Sequence, residues 1–347
     1  MVPFLKYQQT QQEDMFIVTS YTQSIIFCII TMICWGSWAN TQKLANKSWR
    51  YELFYWDYVL GIFLLSLLFA FTLGSHGELG RPFVADLQQA EGSNICNALL
   101  GGIIFNAANI LLSSAISLAG MAVAFPVGIG TALILGVLIN YIAAMQGNPS
   151  LLFAGVACIA VAIVINAFAY KRMMKNQQKL SSKGIFLSVL AGLLMSLFYR
   201  FIASAMDLNN FESPAIGKMT PYTAVFIFSC GILLSNFIFN TLLMKRPLAG
   251  PPLRYSDYFK GNFSVHLVGI LGGIIWGIGN SLNLIAAGKA GPAISYGLGQ
   301  GATLVAALWG VFIWREFKGA SKQTMLWLGF MFCLFILGLL LLIEAGK

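Results

Sequence analysis

Indoles and carboxamides recur at helical spacing in this chain, inside stretches that otherwise hold almost nothing polar. Trp35, Trp38 and Gln42 fall at i, i+3 and i+7, with Asn40 beside them. Asn106, Asn109 and Ser113 share one helical face, Trp276, Asn280 and Asn283 another, and Tyr296, Gln300 and Thr303 a third. Carboxamides both donate and accept hydrogen bonds, and flat aromatic faces cover the CH surface of a sugar or the plane of a heterocycle. The chemistry they could do together is recognition of a small neutral solute. A monosaccharide such as a pentose or deoxyhexose is the first expectation, and a planar ureide or nucleobase the alternative. The candidate solute-binding residues are Trp35, Trp38, Asn40, Gln42, Asn109, Trp276, Asn280, Asn283, Tyr296 and Gln300. The same residue types also glue membrane helices together and line bilayer interfaces, so packing is the competing reading for each.

Ionisable groups within apolar stretches usually mark a pathway, and here they are scarce. Asp57 stands near the start of one stretch, and Arg200 lies inside another next to Tyr199. These three are the coupling or gate candidates, with Asp57 the position for a coupling proton. Asp57 could equally cap its helix, and Arg200 could snorkel to the interface. His76 and His266 sit at the ends of apolar stretches and read as interfacial polar residues, and Trp49, Trp56, Trp314 and Trp327 read as belt residues. Six scattered cysteines offer neither a disulfide framework nor a metal set, and no cofactor is expected. No HExxH, paired intramembrane acids or Ser/His/Asp set suggests an enzyme.

The elements that must position these residues follow from composition. Of 347 residues, 58% are hydrophobic and 10% charged, with mean hydropathy +0.77. Lipid is the solvent for most of such a chain. After a polar tail at 1–16, ten stretches are long enough to span a bilayer, at roughly 17–39, 54–74, 95–118, 121–145, 150–170, 184–206, 219–244, 263–287, 291–314 and 324–344. The expected fold is all-α integral membrane. The net charge of +9 is spread over short loops, which argues for membrane topology and against nucleic acid. Fifteen Lys and Arg fall on one side and five on the other, counting from Lys43, Lys47 and Arg50 onward. The basic loops are therefore expected in the cytoplasm of a cell (inner) membrane, with both termini outside.

The stretch from 99 to 133 returns 171 residues later, at 270 to 304, without a gap. Leu100, Gly101, Gly102, Ile103 and Ile104 meet Leu271, Gly272, Gly273, Ile274 and Ile275, and Asn109 meets Asn280. Five spans separate the copies, so a duplication would reverse direction across the bilayer. Two inverted five-helix halves are expected, at 17–170 and 184–347, joined by a basic cytoplasmic linker at 171–183. The copies differ where polarity matters: Phe105, Leu112, Phe125 and Ile129 stand where the second copy has Trp276, Asn283, Tyr296 and Gln300.

With ICWGSWANTQKL at 33–44, YWDYVLG at 55–61 and WREFKGAS at 314–321, the chain resembles the drug/metabolite transporter superfamily. Within it the likeness is to the branch of bacterial glucose/ribose and rhamnose permeases and plant ureide permeases. That resemblance implies secondary transport by alternating access, often proton-coupled, with the site between the halves. The partners implied are a small neutral solute, the bilayer and protons. A metabolite exporter, or a membrane assembly subunit without transport, are the rival readings.

Overall fold

The computed structural model describes residues 15–45, 49–77, 79–119, 121–173, 181–247 and 250–347. Most of the expected tail, Lys47, Gly120 of the repeat and 174–180 of the linker lie outside them. The elements in order are α1 (Tyr21–Ser37), α2 (Ala39–Leu44), α3 (Tyr51–Phe71), α4 (Phe83–Gln89), α5 (Gly92–Ala119), α6 (Met121–Ala144) and α7 (Pro149–Met173). They continue as α8 (Ser182–Ser204), α9 (Pro221–Lys245), α10 (Tyr255–Tyr258), α11 (Phe263–Ala290), α12 (Pro292–Gln300), α13 (Ala302–Leu308), a π-helical turn (Trp309–Ile313) and α14 (Lys322–Ala345). Among the described residues there are ten spans long and apolar enough to cross a membrane, so the chain is a multi-pass, all-α membrane protein.

Side-chain caps start several spans where the sequence leaves the apolar register. Ser20, Ser181, Asn262 and Ser321 each accept a hydrogen bond from the backbone N–H three residues on. Gly291, at φ +81°, joins α11 to α12 with Pro292 opening the new helix, a turn that a residue with a side chain would strain.

Two spans carry a local irregularity in an otherwise continuous helix. The first breaks at Trp38 between α1 and α2 and runs on to Leu44. The stretch expected at 291–314 breaks at Gly301, whose N–H bonds the carbonyl of Leu298 at 3.0 Å, and it ends in the π turn. Gly297, Gly299 and Gly301 give the backbone no side-chain support there, and irregular turns of this kind sit where a membrane helix lines a site.

Glycine contacts fix how the spans cross. A methyl group on Gly273 of α11 would lie 2.0 Å from the Tyr58 carbonyl oxygen of α3, and one on Gly61 of α3 would lie 2.2 Å from that of Ile270. A methyl group on Gly102 of α5 would lie 2.0 Å from the Phe228 carbonyl oxygen of α9, and one on Gly231 of α9 would lie 2.2 Å from that of Leu99. Every member of the second set is the first set moved by 170 or 171 residues. Backbone approach this close is available only to glycine.

Candidate functional site

Helix α11 carries one face through the whole bundle: His266, Gly269, Gly273, Trp276, Asn280 and Asn283, spaced by three and four. His266 and Gly269 face Asp57, and Gly273 and Trp276 face Tyr58. At mid-span the Trp276 indole is buried among rings from both ends of the sequence. Phe105 lies 4.4 Å from it, Trp35 6.0 Å at 9° between planes, and Tyr58 and Phe228 each 6.4 Å. Trp38, at the break in the first span, covers the Tyr58 ring at 4.7 Å.

Trp35 reaches this position because two glycines make room. A methyl group on Gly279 of α11 would lie 2.8 Å from its ring, and one on Gly299 of α12 2.7 Å. The Trp35 Nε1–H is buried there without a hydrogen-bond acceptor among the described residues. The side-chain carbonyl oxygens of Asn280 and Asn283, in almost fully buried residues, likewise lack a donor among the described residues. Buried polar atoms are rarely left unpaired, and a group of one donor and two acceptors beside parallel indoles is what a ligand would satisfy.

The remaining candidates divide. The Asn283 Nδ2–H donates to the Ser295 carbonyl at 2.9 Å, and the Ser295 hydroxyl donates to the Asn283 carbonyl at 2.7 Å. The Tyr199 hydroxyl lies 3.3 Å from Ser295 Oγ, tying α8 to α11 and α12. Tyr296 packs against Tyr199 at 5.2 Å, and its hydroxyl is 3.2 Å from the carbonyls of Ala132 and Met195. Gln300 is buried at the Gly301 break. Asn109 Nδ2–H donates to the Tyr55 hydroxyl, which donates to Asn106, which in turn donates to Ser235, a chain that stitches α3, α5 and α9.

Three candidates stand apart. Asn40 accepts from Trp314 Nε1–H at 2.6 Å and donates to the Ser37 carbonyl at 2.9 Å, so its amide clamps a helix end. Gln42 is half-exposed on α2, next to Lys43, which pairs with Glu316 at 2.6 Å. Burial would raise the Glu316 carboxyl, but hydrogen bonds from Lys43 and Tyr170, and the Lys43 charge, outweigh it and hold it below the ordinary range. Arg200 is half-exposed, while Tyr199, one residue away and therefore about 100° around the helix, is fully buried.

Sequence reasoning missed the partner of Asp57. That carboxylate is fully buried, 2.9 and 3.1 Å from His266 Nδ1, and accepts from the Tyr258 hydroxyl at 2.5 Å. Burial and then the Asp57 carboxylate push the Tyr258 phenol well above its ordinary range, so it remains a donor. Trp49 meets the His266 ring edge-on at 5.1 Å, and Trp56, expected in the belt, is instead buried with Met244. The signal for His266 was its place on the α11 face, ten residues before Trp276. Toward the other end of α11, a pocket of about 250 Å³ is lined by Asn209, Asn210, Glu212, Gly288 and Lys289. Its floor at Gly288 is about 8 Å along the helix from Asn283.

A family model described as Ureide permease matches residues 54–182 and 167–345. Ureide permease 4 of Arabidopsis thaliana is 23% identical, with 96% of this chain and 99% of that protein aligned. Ureide permease 2 of the same plant is 24% identical over the same shares. A protein of Streptococcus agalactiae named "Putative sugar uptake protein" is 23% identical, over 92% of this chain and 98% of its own. A solved chain described only as "Crystal structure of protein" matches with a TM-score of 0.62 at 15% identity, covering 93% of this chain and 96% of its own, a likeness of fold.

Proposed function

The chain belongs to the ureide permease family, and on that premise we propose that it carries a small neutral solute by alternating access, bound beside Trp35, Trp276, Asn280 and Asn283. The observation that carries this reading is a group of unpaired buried atoms, Trp35 Nε1, Asn280 Oδ1 and Asn283 Oδ1, near two near-parallel indoles, with the Tyr58 hydroxyl, also unpaired, on the ring beside Trp276. Two acceptors and one donor suit a planar solute with several N–H groups and a carbonyl, which describes a ureide or nucleobase. A ring held between two indoles needs about 7 Å, twice an optimal contact. The indole centroids stand 6.0 Å apart, less than that, so loading would part α1 from α11. A monosaccharide is the second reading, favoured by the same indoles, which suit a sugar's CH face, and by the name of the streptococcal relative.

The two glycine crossings, equivalent under a fixed offset, support two inverted halves around this site. They also support placing the chain in the wider drug/metabolite transporter superfamily. The basic-loop bias supports Asp57 at the cytoplasmic end and the Lys289 pocket at the outer one.

Uptake of labelled allantoin and labelled ribose into vesicles, each competed by excess uracil, allantoin and ribose, tests the reading. Saturable allantoin uptake that uracil competes and ribose does not is expected, and the converse pattern establishes the sugar instead. Absence of saturable uptake of either solute, with folded protein in the vesicles, would end the proposal. Asn280→Ala removes one unpaired acceptor and should raise the half-saturating concentration about tenfold, the worth of one buried hydrogen bond.

A further inference from the structure

The α3/α11 crossing and the α5/α9 crossing share their backbone contacts but not their chemistry. On the first, Asp57 and His266 flank the glycines. Moved by 170 and 171 residues, the same positions on the second are Ile227 and Ile95. One seam is therefore ionisable and its counterpart is apolar.

The ionisable seam is closed around its pair. A methyl group on Gly269 would lie 2.4 Å from Asp57 Cβ, and one on Gly261 would lie 2.6 Å from His266 Nε2. Tyr258 covers the His266 ring at 4.6 Å while its hydroxyl donates to Asp57. Of the other charges nearby, Glu52 is paired with Arg50 and Asp257 with Lys260, and Arg254 lies beside Asp257. Asp57 thus has His266 as its neutralising neighbour, and the contact is complete only when the two groups share one ionising proton.

We propose that Asp57 and His266 form a proton-operated lock on the α3/α11 seam, through which proton binding governs opening of the solute site; this rests on the transporter reading above. With the carboxylate ionised and the imidazole protonated, the two attract and the seam is shut. A proton taken from water onto Asp57 neutralises the carboxylate, turns an acceptor facing Tyr258 and His266 into a donor, and leaves the imidazolium unpaired in a closed site. Water entering the seam then solvates it. The solute site feels this directly. Asp57 and Tyr58 are consecutive on α3, and the Tyr58 carbonyl bears on Gly273 while its ring lies against Trp276. A shift of that turn moves the lock and the indole together.

The lock can be read without knowing the solute. Amide hydrogen exchange of the purified full-length protein is measured over 51–60 and 263–275 at about pH 5 and about pH 7.5, corrected for intrinsic rates, the acid arm being the one that adds the second proton to the Asp57–His266 pair. Exchange should be at least about fivefold faster at the acid value, and the matching segments of α5 and α9 should show no such change. Asp57→Asn and His266→Gln should each abolish the difference, and Tyr258→Phe should retain it with a displaced midpoint. A seam equally protected at both values, or a difference that survives Asp57→Asn and His266→Gln, overturns the lock. Counterflow of labelled allantoin or ribose at equal pH tests the transport reading separately, because it needs no proton gradient. Asp57→Asn should keep counterflow and lose accumulation driven by a pH gradient, and retained accumulation overturns the coupling.

Discussion

Trp276→Ala should lower saturable solute uptake on the order of a hundredfold, while Trp276→Phe keeps most of it. The expectation follows from position. Trp276 is the one ring in contact with Trp35, Tyr58, Phe105 and Phe228 at once, drawn from α1, α3, α5 and α9. Truncating a buried indole costs about 3 kcal/mol or more, and that is about a hundredfold if it falls on the loaded state. Phenylalanine restores a flat face but not the full area, and the counterpart Phe105 already shows that a phenyl ring is accommodated at the equivalent place. The check is initial uptake per folded molecule, with folding scored by a single symmetrical peak on gel filtration. Near-normal uptake by a well-folded Trp276→Ala protein would remove Trp276 from the site.

What the sequence disclosed here, and what it concealed, divides along physical lines. Lipid imposes long apolar helices, so the ten spans could be counted from hydropathy. Trp276, Asn280 and Asn283 could be grouped because helical spacing alone puts them on one face. Gln42 was drawn in by the same spacing and Asn40 by its place beside it, but the Asn40 amide is taken up by Trp314 and Ser37 and Gln42 lies half-exposed toward the helix end. The pairing of Asp57 with His266 was hidden for another reason. It joins residues 209 apart across a helix crossing, and each taken alone looks like a polar residue at a membrane boundary. Gly269 and Gly261, which bring them together, carry no chemistry to notice. The unpaired atoms of Trp35, Asn280 and Asn283 are likewise a property of packing, not of residue type.

The glycine crossings should fail together and act differently. Gly273→Ala and Gly102→Ala each place a methyl group 2.0 Å from a backbone carbonyl oxygen, Tyr58 in one case and Phe228 in the other. A backbone oxygen cannot rotate out of the way as a side chain could, so the helices must separate. Overpacking of this kind costs about 3 kcal/mol. The two variants should therefore lose thermal stability by similar amounts in detergent. Gly61→Ala and Gly231→Ala, at 2.2 Å from their carbonyls, should form a second matched pair. Gly102→Ala that is tolerated while Gly273→Ala is not would mean that the crossings are unrelated, and the duplication argument would fail with it. Function should separate what stability does not. Spreading α3 from α11 pulls Asp57 away from His266, so in Gly273→Ala and Gly61→Ala the residual uptake should lose its dependence on pH. Spreading α5 from α9 parts Ile95 from the helix that carries Ile227, neither of which can titrate, so Gly102→Ala and Gly231→Ala should keep that dependence while uptake falls. Equal damage to the fold with unequal damage to the pH profile is what two copies of one frame predict when only one carries the ionisable pair.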